Sequence, residues 1–487
     1  MPLIPFGEYR PDLADYNGQF TRNISNVLPR GDGYGPFKDF SIFSGAVAAA
    51  CRGAFYALDD DGTVAVFAGT STKLYKLNNT TFAWDDVSAG GSAYTAVPTN
   101  DNWRFAQFGT IVIAVQANVA PQAFTLGSSS EFAALSGSPP QAAYVDVVGR
   151  FLVLSGLTSN PYRVHWSGLN AITTWTSGTN SSDYQDFPDG GIVRGVAGGE
   201  YGYIFQDGAI RRMTYAPGSP VIFQIDRIAD DFGLYGPGSI VRLGRQILFY
   251  SAKGFKKISP GGDILPIGRE KVDRTFFADL DKGTLRLFMG AADPQSNRAF
   301  WAYKSQSGVT GLYDKIICYD DTLERWFPLN MSGEYLLGMS QTGLTLESLD
   351  AISSSLDALT GSLDDYATAS IPEISQFNSA HKLGFFRGDN IEATMETAEQ
   401  TAEPQRLRVR GFRPVTDAAE VYGSCSSRET LQASATAGSE IVVSSRTGRC
   451  NLNKSTRYSR LKMRIPAAEA WTYAAGVEPD IVPDGQQ

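Results

Sequence analysis

The chain has 487 residues, 43% hydrophobic and only 19% charged, with 50 Gly, 24 Pro and 12% aromatics. This is too long for one ordinary core and too apolar for global disorder, so two to four turn-rich β domains are expected. The net charge of −9 argues against wholesale wrapping of nucleic acid. No apolar run approaches the ~18 residues that span a bilayer, and Met1–Glu8 shows no secretory signal, so no membrane insertion is expected.

Residues 1–45 read as an extended arm, with turn and polyproline signals at Asp15-Tyr16, Asn26-Val27-Leu28-Pro29 and Gly31–Pro36. From about 46 to 345, short strand-like runs recur in groups of four, roughly every 40–52 residues. Gly62, Gly109, Gly149, Gly199, Gly244 and the Asp293–Asn297 stretch punctuate them. The clearest group has Trp103–Phe108, a turn at Gly109, the apolar run Ile111–Val115, then Ala123–Leu126 and Phe132–Leu135. Each second strand is almost wholly apolar, as for a strand covered on both faces; first and third strands alternate. Four short strands at this period define a propeller blade, and the chain is all-β: six blades, with seven as the alternative. Val272–Lys282 reads as a short helix.

Residues 346–371 break the pattern. Leu-Asp recurs at Leu349, Leu356 and Leu363, a spacing of seven that suits a loop, an amphipathic helix laid on a blade, or a subunit contact. Residues 372–475 read as a β-sandwich-like domain, packed with or completing the propeller, and 476–487 as a loose tail. Residues 405–464 carry 12 Lys or Arg against 4 Asp or Glu, a net +8 that leaves −17 for the rest. Two strands explain the excess: Arg406, Arg408 and Arg410 alternate with Leu407 and Val409, and Arg460, Lys462 and Arg464 with Leu461 and Met463. Each would bury its apolar residues and present one basic face. That face suits a solvated surface, an acidic partner subunit or, with little aromatic interleaving, nucleic acid.

Catalytic signatures are missing. There is no P-loop, dinucleotide fingerprint, zinc spacing or H-E-x-x-H, so neither cofactor nor metal is expected. His165 and His381 are the two histidines, and each reads better as a packing or surface residue than as a base. Asp59-Asp60-Asp61-Gly62-Thr63 lacks the later glutamate of a calcium loop and reads as a hairpin turn. Cys51, Cys318, Cys425 and Cys450 read as buried thiols, with a Cys425–Cys450 bond open if the protein ends outside the cell. Trp84, Trp103, Trp166, Trp175, Trp301 and Trp326 suit blade packing better than a sugar platform.

In order along the chain, Asp15-Tyr16, Asn26, Pro29, Gly33-Tyr34, Arg163–Ser167, Trp175, Asp183, Asp186, Pro188–Gly195, Tyr203–Phe205, Glu270–Arg274 and Leu383–Phe386 form a recognisable series. In this series the chain resembles the tail nozzle or hub proteins of short-tailed bacteriophages, the packaged-DNA stabilisation family, over about 15–475. The resemblance implies a non-enzymatic virion protein: a homo-hexameric ring below the head–tail adaptor, assembled in the host cytoplasm. Double-stranded DNA would pass through it without sequence recognition, and tail fibres or spikes would attach to it. The alternative is a propeller-type glycan-binding or glycan-degrading protein of the tail. The candidate partner surface comprises Arg406, Arg408, Arg410, Arg460, Lys462, Arg464, Leu349, Leu356 and Leu363.

Overall fold

The computed structural model describes residues 3–16, 18–219, 221–293, 295–340, 355, 372–401 and 405–485. Seven four-stranded antiparallel sheets follow one another around a closed ring. Blade one comprises Ala54–Leu58, Val64–Gly69, Leu74–Leu77 and Trp84–Asp86, and blades two to six repeat the order. Their inner strands are Arg104–Phe108, Ala142–Val148, Val193–Ala197, Val241–Leu243 and Met289–Asp293. Blade seven joins Tyr335–Ser340, Pro372–Phe377 and Lys382–Phe385 to Ser41–Ala46, which returns from the start of the chain. Its inner strand packs against that of blade one.

The ring has seven blades rather than the favoured six. The seventh is hard to read because its outer strand comes from the arm and its second strand lies beyond residues 341–371. The propeller therefore runs from Ser41 to Phe385, wider than 46–345. The Leu349, Leu356 and Leu363 heptads lie outside the described residues.

Local sequence accounts for the blades. The second strand Val64–Gly69 is buried along its length, and Phe151–Leu157 is buried at all but Gly156. Gly109 and Gly149 open the turns between first and second strands at φ 58° and 56°, a left-handed conformation that disfavours side chains. Between blades sit separate apolar clusters, several centred on tryptophan. Trp103, Trp301 and Trp326 are fully buried, and their indole N–H groups donate to the carbonyls of Thr70, Ser239 and Ile267. That satisfies the one polar atom each ring would otherwise bury unpaired. The expected short helix forms over Asp273–Asp279.

The second unit is a sandwich built from both chain ends. One sheet runs Cys450–Thr456, Leu407–Thr416, Ala474–Pro483, Gly33–Pro36, Val27–Arg30, with Ile4–Pro5 also on Ala474–Pro483. The facing sheet runs Thr436–Ala437, Tyr422–Arg428, Tyr458–Ile465, Ala393–Glu396, Ile24–Ser25. Val27, Tyr34, Val409, Phe412, Leu461 and Met463 belong to one buried cluster that continues into blades six, seven and one. Two expectations are corrected here. The 1–45 arm is not a separate extension, because its strands complete both the sandwich and blade seven. The 476–487 tail is not loose up to Pro483, because Ala474–Pro483 pairs along its length with Leu407–Thr416.

Candidate functional site

The basic strands alternate as their sequence requires. Leu407, Val409, Leu461 and Met463 point into the sandwich and are buried, which turns the cations outward. The two strands lie in different sheets, however, so the cations occupy two outer faces rather than one surface.

Those faces differ in charge compensation. On Tyr458–Ile465, Arg460 is largely enclosed and its guanidinium donates to both carboxylate oxygens of Asp15, at 2.6 and 3.0 Å, with Glu399 at 3.4 Å. Lys462 lies 3.4 Å from Glu440, and Arg464 is 2.7 Å from Glu440 and 2.9 Å from Glu392. Arg464 is held charged at higher pH than usual: its bonds to Glu440 and Glu392 outweigh its partial desolvation. On this face Arg460 seats the arm through Asp15, while Lys462 and Arg464 are compensated at the surface by Glu440 and Glu392. Just before Leu407–Thr416, Arg406 pairs with Glu429 at 2.8 Å, and on the strand Arg408 donates to the Asn453 side chain at 3.0 Å. Arg408 and Arg410 are exposed, and Arg410 has neither ion pair nor hydrogen bond among the described residues. The compensated cations were illegible in the sequence because Asp15 and Glu399 stand far from Arg460 along the chain.

The axial channel is a second site, which sequence reasoning missed. Inner strands of blades two to five bring Arg104, Tyr144, Asp146, Arg194 and Arg242 to it. A cavity of about 570 Å³, lined by Asp101, Tyr144, Arg194, Asp207 and Tyr235 among others, adjoins one of about 240 Å³ lined by Arg104, Asp146 and Arg242; both share Tyr144 and Pro237. Arg194 pairs with Asp207 at 2.6 Å and Arg242 with Asp146 at 3.4 Å. Burial pushes the Tyr144 phenol and the Asp101 carboxyl up, the latter against the pull of Arg104. Burial, then the neighbouring Arg286, pulls Arg52 down to about 10.

The tempting motifs resolve into structure. Asp59–Thr63 is the turn between the first two strands of blade one, closed by Asp59 N–H to Thr63 O at 2.9 Å. Among the described residues no group of three or more His, Cys, Asp or Glu side chains is placed to hold a metal ion. His165 contacts the Trp175 carbonyl at 3.1 Å and packs edge-on against Trp175 and Tyr184; burial pulls its pKa down. His381 Nδ1 lies 2.6 Å from the buried Glu334, whose other oxygen accepts the Cys51 N–H at 2.9 Å. Burial pushes the Cys51 thiol far up, so this Cys–Glu–His group joins blade seven to blade one and offers no ready thiolate. All four cysteines are buried and unpaired, with Cys425 pushed up to about 12 and Cys450 to about 11 by burial.

No protein-family model matches the chain, and no curated protein matches it in sequence. Among solved structures, the extracellular domain of BT4673 from B. thetaiotaomicron is 10% identical, with a TM-score of 0.41 over 78% of this chain. The chain spans under half of that protein, 44%. BamB from Moraxella catarrhalis is 13% identical over 64% of this chain and 87% of its own, with a TM-score of 0.33. YCF48 bound to D1 peptide is 11% identical over 63% and 88%, with a TM-score of 0.35. BamB and YCF48 are β-propeller proteins. No helix of the described residues is long and apolar enough to cross a membrane.

Proposed function

We propose that this chain is a wall subunit of the tail nozzle of a short-tailed bacteriophage, a structural protein that assembles into a hexameric ring below the head–tail adaptor. The ring would form a conduit for the packaged genome, retain it before ejection, and carry fibres or spikes. The observation that supports this best is the exposed pair Arg408 and Arg410 on a chain whose net charge is −9. A closed ring needs a heterologous contact between two unlike patches, and two exposed arginines without a carboxylate partner among the described residues, on an acidic chain, supply one half of it. The sequence series from Asp15 to Phe386 points the same way. Assembly through the arm loses support, because the arm is consumed within its own subunit.

A glycan-binding reading has less behind it. Six of the seven tryptophans, Trp103, Trp166, Trp175, Trp301, Trp326 and Trp471, are buried, so they offer no sugar platform.

Negative-stain imaging of the purified full chain tests the proposal. Six-fold rings with a lumen wider than a DNA duplex are expected. A monomer that forms no ring, alone or with virion components from a lysate of its phage, would overturn it.

A further inference from the structure

We propose that the axial cavity of the propeller binds a small oxyanion, a carboxylate or a phosphate, between Arg104 and Arg194. The inference does not depend on the nozzle reading. Its first support is Arg104 itself: its Nε is enclosed and donates to no acceptor. A buried donor left unpaired costs about 1–3 kcal/mol, so such groups persist where something absent from the bare chain satisfies them.

Its second support is the way charge is distributed around the cavity. Arg194 and Arg242 each have a carboxylate of their own, Asp207 and Asp146. Asp101 is the carboxylate that pulls on Arg104, but it is itself bound by the Asn102 N–H at 2.8 Å and does not reach the Arg104 Nε. Among the described residues Arg104 thus has donor capacity with no carboxylate bonded to it, and the residue lines the smaller cavity beside Asp146 and Arg242. Planar, forked donors of this kind match the paired oxygens of carboxylate and phosphate. Its third support is shape. Arg104 lines the space of about 240 Å³ and Arg194 the adjoining one of about 570 Å³, and the two share Tyr144; the larger falls in the range of small-ligand sites, with Tyr144 and Tyr235 as walls for a short carbon body. Arg194 is half exposed at this wall, free to turn a second donor onto the ligand without unfolding anything.

Calorimetric titration and thermal melting of the full chain at pH 7 and fixed ionic strength test this, with inorganic phosphate and succinate as separate probes. At least one probe should bind one-to-one and raise Tm saturably; which one does so separates phosphate from carboxylate. Arg104→Met should weaken that binding about tenfold or more, the loss of one charge-assisted hydrogen bond, and Arg104→Lys should restore part of it. If Arg104→Met does not fold, Arg194→Met serves as the second variant, with a several-fold loss expected. Arg150→Met, in the exposed turn of blade three, should leave affinity unchanged. Absence of saturable binding by either probe, or equal losses in the Arg150 and Arg104 or Arg194 variants, would overturn the assignment.

Discussion

Arg460 grips Asp15 across 445 residues of sequence, with two guanidinium–carboxylate hydrogen bonds of 2.6 and 3.0 Å. Both side chains are largely enclosed, at 13% and 5% exposure. Breaking a buried pair by removing one partner strands the other charge, at a cost of about 3 kcal/mol. Arg460→Ala should therefore lower stability by about that much in a chemical melt. It should also open residues 1–20 to limited proteolysis, because the Glu399 N–H to Asp15 carbonyl bond at 3.1 Å anchors the same point. Unchanged protease resistance would mean the pair does not hold the arm.

Phe43 closes the ring. It sits on the returning strand Ser41–Ala46 and packs edge-on against Phe82 of blade one at 5.1 Å and Phe385 of blade seven at 5.2 Å. Phe43→Ala would leave a cavity between the first and last blades, and a loss of about 3–5 kcal/mol is expected. Phe43→Leu, which keeps most of the apolar volume, should lose much less. Equal losses in the two variants would place the cost elsewhere than in packing.

The repeat was legible because blade one to blade six are local: each strand pairs with its neighbour in sequence, and apolar second strands and glycine turns mark the register. Blade seven and the sandwich were not, because their pairings join Ser41–Ala46 to Lys382–Phe385 and Ile24–Ser25 to Ala393–Glu396. The last strand misled for a particular reason. Pro479 and Pro483 look like strand breakers, yet both lie where Ala474–Pro483 is paired on one side alone, with Leu407–Thr416. Its other neighbours, Tyr34, Ile4 and Pro5, reach no further than Ala474 to Val477. A proline whose missing N–H faces outward from an edge removes no ladder bond. The basic strands showed which residues face outward, but not which already had a counter-ion. Alternation fixes a face; the partners of Arg460 come from the arm and from Glu399.

The uneven compensation sets a prediction for assembly. Substituting Arg406, Arg408, Arg460 and Lys462 together would confound docking with folding, because Arg460 is structural. Arg408→Glu with Arg410→Glu changes only exposed side chains. The melting curve should stay within about 0.5 kcal/mol of the parent, while self-association measured by light scattering should be lost. An assembly that survives this charge reversal would remove that face from the contact.

Asp273 makes the stability of the arm-bound face depend on pH in an unusual direction. Its carboxyl is pushed up to about 6 by burial, which outweighs the Phe255 N–H bond pulling it down; the neighbouring Asp12 charge adds a smaller push. Asp12 lies against the same helix: its carboxylate accepts the N–H of Arg274 and of Thr275, both at 2.8 Å. A folded-state value above the unfolded one means the native protein binds more protons than the unfolded chain between about pH 4 and 6. Asp273 therefore contributes stability below that window and loses it as pH rises through about 6. Asp273→Asn keeps an acceptor for the Phe255 N–H and removes the charge. At pH 8 it should be more stable than the parent by about 3 kcal/mol, with the difference shrinking toward zero near pH 4. Urea melts at pH 4, 6 and 8 measure this, and a difference independent of pH would show that the Asp273 charge is not its source.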